Sequence, residues 1–379
     1  MNDQLNRRSR LVDLQEPFFL LESGESIQGL HIAFETYGCL DNNSENAILL
    51  CHALTGSQHA AGRNGRGKAG WWDQLIGPGK ALDTDRFFVI CPNVIPGCYG
   101  STGPNSINPE SGRVYGKDFP EVSIRDIVRA QRKLIEHLGI ERLTAVVGGS
   151  MGGMQAFEWG VSYPESVERL ILIATSPSQS SWRLGVGAVV REALALARSA
   201  GDESRGMHLA RMMATLTYRS HEEFASRFGR EREETGEFAV ESYLRYKGND
   251  LVERFDTLTY ERLLRGMDWH DIAEGRGVLE EVLGGLSHPA LCLGISSDML
   301  YPPWEVEAWS RMIPRGLYRE IISDCGHDAF LIEWDQLDRH IRSFLRSTSL
   351  TGERRVECEV NSVQPSTILS GKEVNLCQL

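Results

Sequence analysis

The chain has 379 residues, of which 41% are hydrophobic and 24% charged, with a formal net charge of −12. That acidic balance argues against a nucleic-acid or anionic-membrane ligand, and no stretch approaches the roughly 20 apolar residues of a membrane span. Eight cysteines without a C-x-x-C pair point to reduced thiols, not to a disulfide framework.

The first ten residues are polar and hold no apolar core of signal-peptide length, so the expectation is a soluble cytoplasmic protein. Continuous apolar runs at 47–51, 87–91, 143–147, 170–174, 291–295 and 318–322 read as strands buried on both faces. Helical spacing over 124–138 ends at Gly139, a C-terminal cap. Alternating strands and helices predict an α/β fold, a doubly wound and mostly parallel sheet. The rhythm breaks over 176–286, where helical spacing at 190–200, 208–217 and 240–255 has no strand between. This predicts a core domain of 1–175 and 287–348 interrupted by a helical lid at 176–286. The segment 349–379 is poor in large apolar side chains and reads as a disordered tail.

Gly148-Gly149-Ser150-Met151-Gly152 follows the run at 143–147 and precedes helical spacing. G-x-S-x-G between a strand and a helix is the context of a nucleophile elbow, in which a tight turn presents the serine hydroxyl. A serine needs a base, and the base an orienting carboxylate, in the chain order Ser, Asp or Glu, His. His327 lies in a loop after the run at 318–322, and Asp298 lies just past the run at 291–295. Both stand at C-terminal strand ends, where open α/β sheets build their sites. Asp298 also suits a cap for the helix starting near Pro303; Asp324 and Asp328 are closer to His327 but badly placed to face it. The oxyanion calls for two backbone donors. The N–H of Met151 is one, and Leu54, or next Thr55, in the loop after 47–51 is the other. No G-x-G-x-x-G, Walker or H-E-x-x-H pattern is present, so no cofactor or metal is expected. The basic loop 62–68 reads as solvated.

Larger blocks carry a resemblance. Phe34-Glu-Thr-Tyr-Gly38, Cys51-His-Ala-Leu-Thr-Gly56, Trp71-Trp-Asp73, Gly148-Gly-Ser-Met-Gly-Gly-Met-Gln155, Ser242-Tyr-Leu-Arg-Tyr246 and Gly326-His-Asp-Ala-Phe330 are similar to those of the homoserine O-acetyltransferase family. The resemblance runs from about Phe34 to Phe344. It implies the α/β-hydrolase fold, a Ser150–Asp298–His327 triad, and acetyl transfer from acetyl-CoA to homoserine in methionine biosynthesis by a cytosolic homodimer. It also implies that Arg211 holds the acceptor's carboxylate and Asp328 its ammonium, a chemically apt pairing. Thr215 stands where the family usually has histidine, and Thr257-Leu258 replaces its usual Ala-Asn. These departures bear on the acyl donor and acceptor. Succinyl-CoA as donor, serine as acceptor and hydrolysis by the same triad are the alternatives.

Overall fold

Residues alternate between two cores along each buried strand, which is why the strands read as unbroken apolar runs. In the computed structural model, described over residues 5–14 and 18–347, Ala47, Leu49 and Cys51 join one core while Ile48 and Leu50 join the other. Eight strands form the main sheet: β1 (Arg8–Asp13), β2 (His31–Tyr37), β3 (Ala47–Cys51), β4 (Phe88–Pro92), β5 (Ala145–Gly149), β6 (Leu170–Ile173), β7 (Ala290–Ile295) and β8 (Gly316–Ile321). Their order is β1-β2-β4-β3-β5-β6-β7-β8; β2 runs antiparallel to β1 and β4, and the other pairings are parallel. The parallel majority and the crossovers match the expected doubly wound sheet.

Helix α1 (Ile124–His137) begins with a capping box between Ser123 and Asp126, which satisfies two orphan backbone donors reciprocally. With α2 (Met151–Ser162) and α9 (Pro303–Ser310) it supplies one core; α10 (Trp334–Arg346) and the segment around Trp72 to Leu82 supply the other.

Between β6 and β7 stand six helices: α3 (Ser181–Ser199), α4 (Glu203–Tyr218), α5 (His221–Phe228), α6 (Ala239–Arg254), α7 (Thr257–Asp268) and α8 (Leu279–Gly284). The sequence spacing marked three of these. Helix α3 starts well before its apolar stripe, capped by Ser180, and tolerates Gly187 because a Cβ there would lie 2.7 Å from Asp268. Polar anchors tie the insertion to the core. Arg262 donates to the Phe119 carbonyl at 3.1 Å and pairs with Glu121 at 2.9 Å, and Arg276 reaches buried Glu158.

Three strands of the main sheet differ most from the sequence reading. The antiparallel strands β1 and β2 were absent from it: β1 is an edge strand with five exposed residues of six, and charge on an edge hides the strand pattern. The run at 143–147 is displaced to Ala145–Gly149, because Gly148 and Gly149 still pair with Leu172 and Ile173, while Leu143 only bridges to Val167. The expected tail, with Cys358 and Cys377, lies outside the described residues. Cys51, Cys91 and Cys292 are free and buried, and burial pushes their thiols up.

Candidate active site

Strand β5 runs directly into Ser150, which has φ 56° and ψ −124°. A non-glycine residue occupies that region only where the surroundings impose it. Here the imposition is visible. The Ser150 N–H donates to Ile173 O at 2.9 Å, and the Thr175 hydroxyl donates to Ser150 O at 2.8 Å. Two glycines make the approach possible: a Cβ on Gly148 would sit 2.1 Å from the Gly152 backbone, and one on Gly152 would sit 2.1 Å from Cys51 O. The strand–turn–helix context required of the G-x-S-x-G motif is therefore present.

Asp298 follows β7 and His327 follows β8. His327 Nδ1 lies 2.7 Å from Asp298 Oδ2, and both side chains are buried. The other carboxylate oxygen accepts from the N–H groups of Leu300 and Tyr301 at 2.8 and 3.0 Å. Asp298 is thus oriented by backbone donors and aims its second oxygen at the imidazole. Asp324 is exposed and meets Ser220 through its backbone carbonyl. The serine turn packs on the histidine turn, because a Cβ on Gly149 would lie 2.7 Å from the Phe330 ring, itself 5.4 Å from the His327 ring.

The loop after β3 is held against the start of α2. Gln155 donates to His52 O at 3.2 Å, and Arg254 donates to Thr55 O at 3.0 Å. His52 staples this loop to the next one: Nδ1 faces Ala53 O at 2.8 Å and Nε2 accepts from Val94 N–H at 3.2 Å. Those partners require a neutral ring protonated on Nδ1. The loop that carries Leu54 is thereby held against the start of α2, where Met151 follows Ser150.

Burial lowers the His52 imidazole to about 4, and that of His270 to about 3. Unfolded histidine titrates near 6.5. Below that pH the unfolded chain takes up protons that the fold refuses until about pH 4 at His52. Stability is therefore complete above pH 6.5 and falls as pH drops through this window. Each histidine should account for about 2 kcal/mol between pH 7 and pH 5. Urea denaturation at the two pH values measures the loss, and His52→Gln should shrink it by about 2 kcal/mol.

Arg211, on α4, is buried; its guanidinium carbon lies 5.3 Å from the Tyr218 ring centroid, and Tyr218 lies 5.8 Å from the His327 ring. Arg211 Nε has no hydrogen-bond partner among the described residues. Thr215, one turn on, spends its hydroxyl on the Arg211 carbonyl at 2.8 Å. Asp328 is held by an arginine that sequence reasoning missed: Arg219 Nε stands 3.0 Å from Asp328 Oδ2 and Arg219 also grips Glu223 at 2.9 Å. Lys247 on α6 was missed too. Burial, reinforced by Arg211 and Arg219, lowers its ammonium to about 8. Neither residue carried a signal in one sequence, because Arg219, just past the end of α4, and Lys247, on α6, lie in segments that look like ordinary charged lid surface. Among the described residues no group of His, Cys, Asp and Glu could hold a metal ion, and no helix is long and apolar enough to cross a membrane.

Comparison with known proteins places this geometry. A family model described as alpha/beta hydrolase fold matches residues 46–333. The homoserine O-acetyltransferase of Moorella thermoacetica is 47% identical over 348 residues, 86% of this chain and 93% of that protein. The solved structure of homoserine O-acetyltransferase from Bacillus anthracis is similar with a TM-score of 0.83 at 30% identity, over 90% of this chain and 98% of its own. Esterase E22 is similar with the same TM-score of 0.83 at 28% identity, over 89% of this chain and 100% of its own. The backbone is thus shared by a transferase and an esterase, and side chains must separate the two.

Proposed function

The chain belongs to the homoserine O-acetyltransferase family, within the α/β-hydrolase fold, and on that premise we propose that it moves an acetyl group from acetyl-CoA to the hydroxyl of L-homoserine, a step of methionine biosynthesis, through an acyl-serine intermediate. The observation that carries the transferase reading over the esterase one is Arg211, a buried guanidinium with an unpartnered Nε beside Tyr218 and His327. Water needs no charged clamp; an amino-acid acceptor does.

His327, oriented by Asp298, takes the Ser150 proton as the oxygen attacks the thioester carbonyl. The N–H groups of Met151 and Leu54 stabilise the tetrahedral oxyanion, worth about 3–4 kcal/mol for a well-placed donor. Collapse breaks the carbon–sulfur bond, and CoA leaves as the thiol with the proton from His327. Homoserine then enters, its carboxylate at Arg211 and its ammonium at Asp328, which Arg219 keeps in place. His327 takes the proton of the acceptor hydroxyl, whose oxygen attacks the acetyl ester. The second collapse frees O-acetylhomoserine and returns the proton to Ser150. The helices between β6 and β7 act as the lid that favours the positioned hydroxyl over water. Exposed Trp182, Val189 and Leu196 on α3, with Leu209 and Leu216 on α4, support a homodimer joined through this lid, which light scattering checks.

The test separates the half-reactions. Arg211→Ala should acylate Ser150 at a near-normal rate but lose about 2–5 kcal/mol, roughly 30- to 4000-fold, in transfer to homoserine. Lysine should rescue poorly, because a point charge does not replace a bidentate fork. Crossing acetyl-CoA and succinyl-CoA with homoserine and serine completes the assay. Thioester cleavage independent of any amino acid would favour the esterase reading, and equal loss in both half-reactions would remove Arg211 from the acceptor site.

A further inference from the structure

Two arginine–tyrosine stacks flank His327. On the α4 side, Arg211 and Tyr218 form the acceptor's carboxylate subsite. On the α3 side, the Arg183 guanidinium carbon lies 4.4 Å from the Tyr301 ring centroid, and that ring lies 5.3 Å from the imidazole. The acyl-transfer reaction gives this second stack no task.

Its surroundings indicate one. Gln179, two residues ahead of α3, sits beside the Tyr301 hydroxyl. The Gln179 amide and the Tyr301 hydroxyl interact without reaching hydrogen-bond geometry, and both ends of that amide, the hydroxyl and Arg183 Nη1 are buried with no partner at hydrogen-bond geometry among the described residues. Tyr301 is only 1% exposed. A buried polar group left unpaired costs about 1–3 kcal/mol, and native structures leave few of them. Four such atoms beside the proposed catalytic base mark a place where a ligand completes the bonding.

The inventory of donors and acceptors narrows that ligand. Arg183 only donates, Tyr301 donates or accepts, and Gln179 offers one donor end and one acceptor end. A carboxylate would satisfy the donors and leave Gln179 Oε1 facing another acceptor. Glu305, near the start of α9, lies within Coulombic reach of Arg183, so the cluster is close to neutral and needs no anion. A secondary amide meets the whole set: its carbonyl accepts from Arg183 or Gln179, and its N–H donates to Gln179 Oε1.

We propose that Gln179, Arg183 and Tyr301 form a subsite for a secondary amide of the acyl donor, the amide that a pantetheine thioester carries two methylenes from its sulfur. The proposal rests on the acyl-transfer reading and deepens it. Donor recognition sits on the α3 side of His327 and acceptor recognition on the α4 side, so one histidine serves both half-reactions without either ligand's polar contacts overlapping the other's.

Stopped-flow acylation of Ser150 with three donors tests this. Acetyl-CoA and S-acetyl-N-acetylcysteamine both carry the amide; p-nitrophenyl acetate does not. In Gln179→Leu the ratio of thioester to nitrophenyl-ester efficiency should fall about ten- to a hundredfold, by a similar factor for both thioesters. Gln179→Glu, which keeps an acceptor but removes the donor end, should show a smaller fall. An unchanged ratio in both variants overturns the proposal. So does a loss confined to acetyl-CoA, which would place the contact on a distant part of the donor, or a loss confined to transfer onto homoserine. Equal losses for all three donors, with thermal unfolding intact, would likewise overturn it. A wild type acylated by the nitrophenyl ester but by neither thioester overturns the donor assignment itself, and the subsite with it.

Discussion

Ser150→Ala should lower acyl transfer by about 10⁵- to 10⁶-fold while leaving the fold intact. Losses of that order follow removal of a serine nucleophile, because the histidine, the carboxylate and the oxyanion donors have no covalent step left to assist. The side chain itself is small, and the strained turn is held by backbone bonds to Ile173 and from Thr175, so alanine keeps the architecture. Two measurements give the result its meaning. Initial rates with both substrates varied should give the parallel lines of a ping-pong mechanism. Rapid mixing of the wild type with acetyl-CoA alone should add one acetyl group to the peptide containing Ser150, and the variant should add none. A substantial residual rate in the variant would remove Ser150 from the role.

Asp298→Asn should cost about 10⁴-fold in turnover, and the local hydrogen bonds explain why. Leu300 and Tyr301 both donate to Oδ1, so an asparagine must leave its carbonyl there. Its NH₂ then faces His327 Nδ1, the position where Oδ2 now stands at 2.7 Å. That ring nitrogen must become the acceptor, the ring proton moves to Nε2, and the base can no longer take a proton from Ser150. The imidazolium formed during reaction also loses its counter-charge. Asp324→Asn should stay within about twofold, since surface substitutions rarely matter and its contact to Ser220 uses the backbone carbonyl. The reverse ranking of the two variants would overturn the assignment. Circular dichroism and thermal unfolding check that Asp298→Asn retains the fold.

What could be read from the chain follows from which interactions are local. A strand buried on both faces must be apolar throughout, so β3, β6 and β7 were visible as runs, and their rhythm with the helices identified the sheet. The elbow was visible because its constraint is steric and confined to five residues: only glycine fits where Gly148 meets the Gly152 backbone and Gly152 meets Cys51 O. The edge strand β1 was not visible, because its stability comes from pairing with β2 and its exposed side chains obey solvent. Helices α5 and α7 were missed for a related reason, since their place comes from partners far along the chain, such as Arg262 reaching the Phe119 carbonyl.

The chemistry divides in the same way. Residue type, chain order and strand-end position sufficed to nominate Ser150, Asp298 and His327. Only the folded chain could bring Asp298 and His327, 29 residues apart, to 2.7 Å, and only it could give Asp328 the guanidinium of Arg219 as a partner. Arg183, Gln179 and Tyr301 carry no local pattern at all. They became a group because a helix of the insertion crosses the loop after β7 and buries their polar atoms together, and charge, burial and unmet hydrogen bonds are properties of that shared space, not of any one segment of sequence.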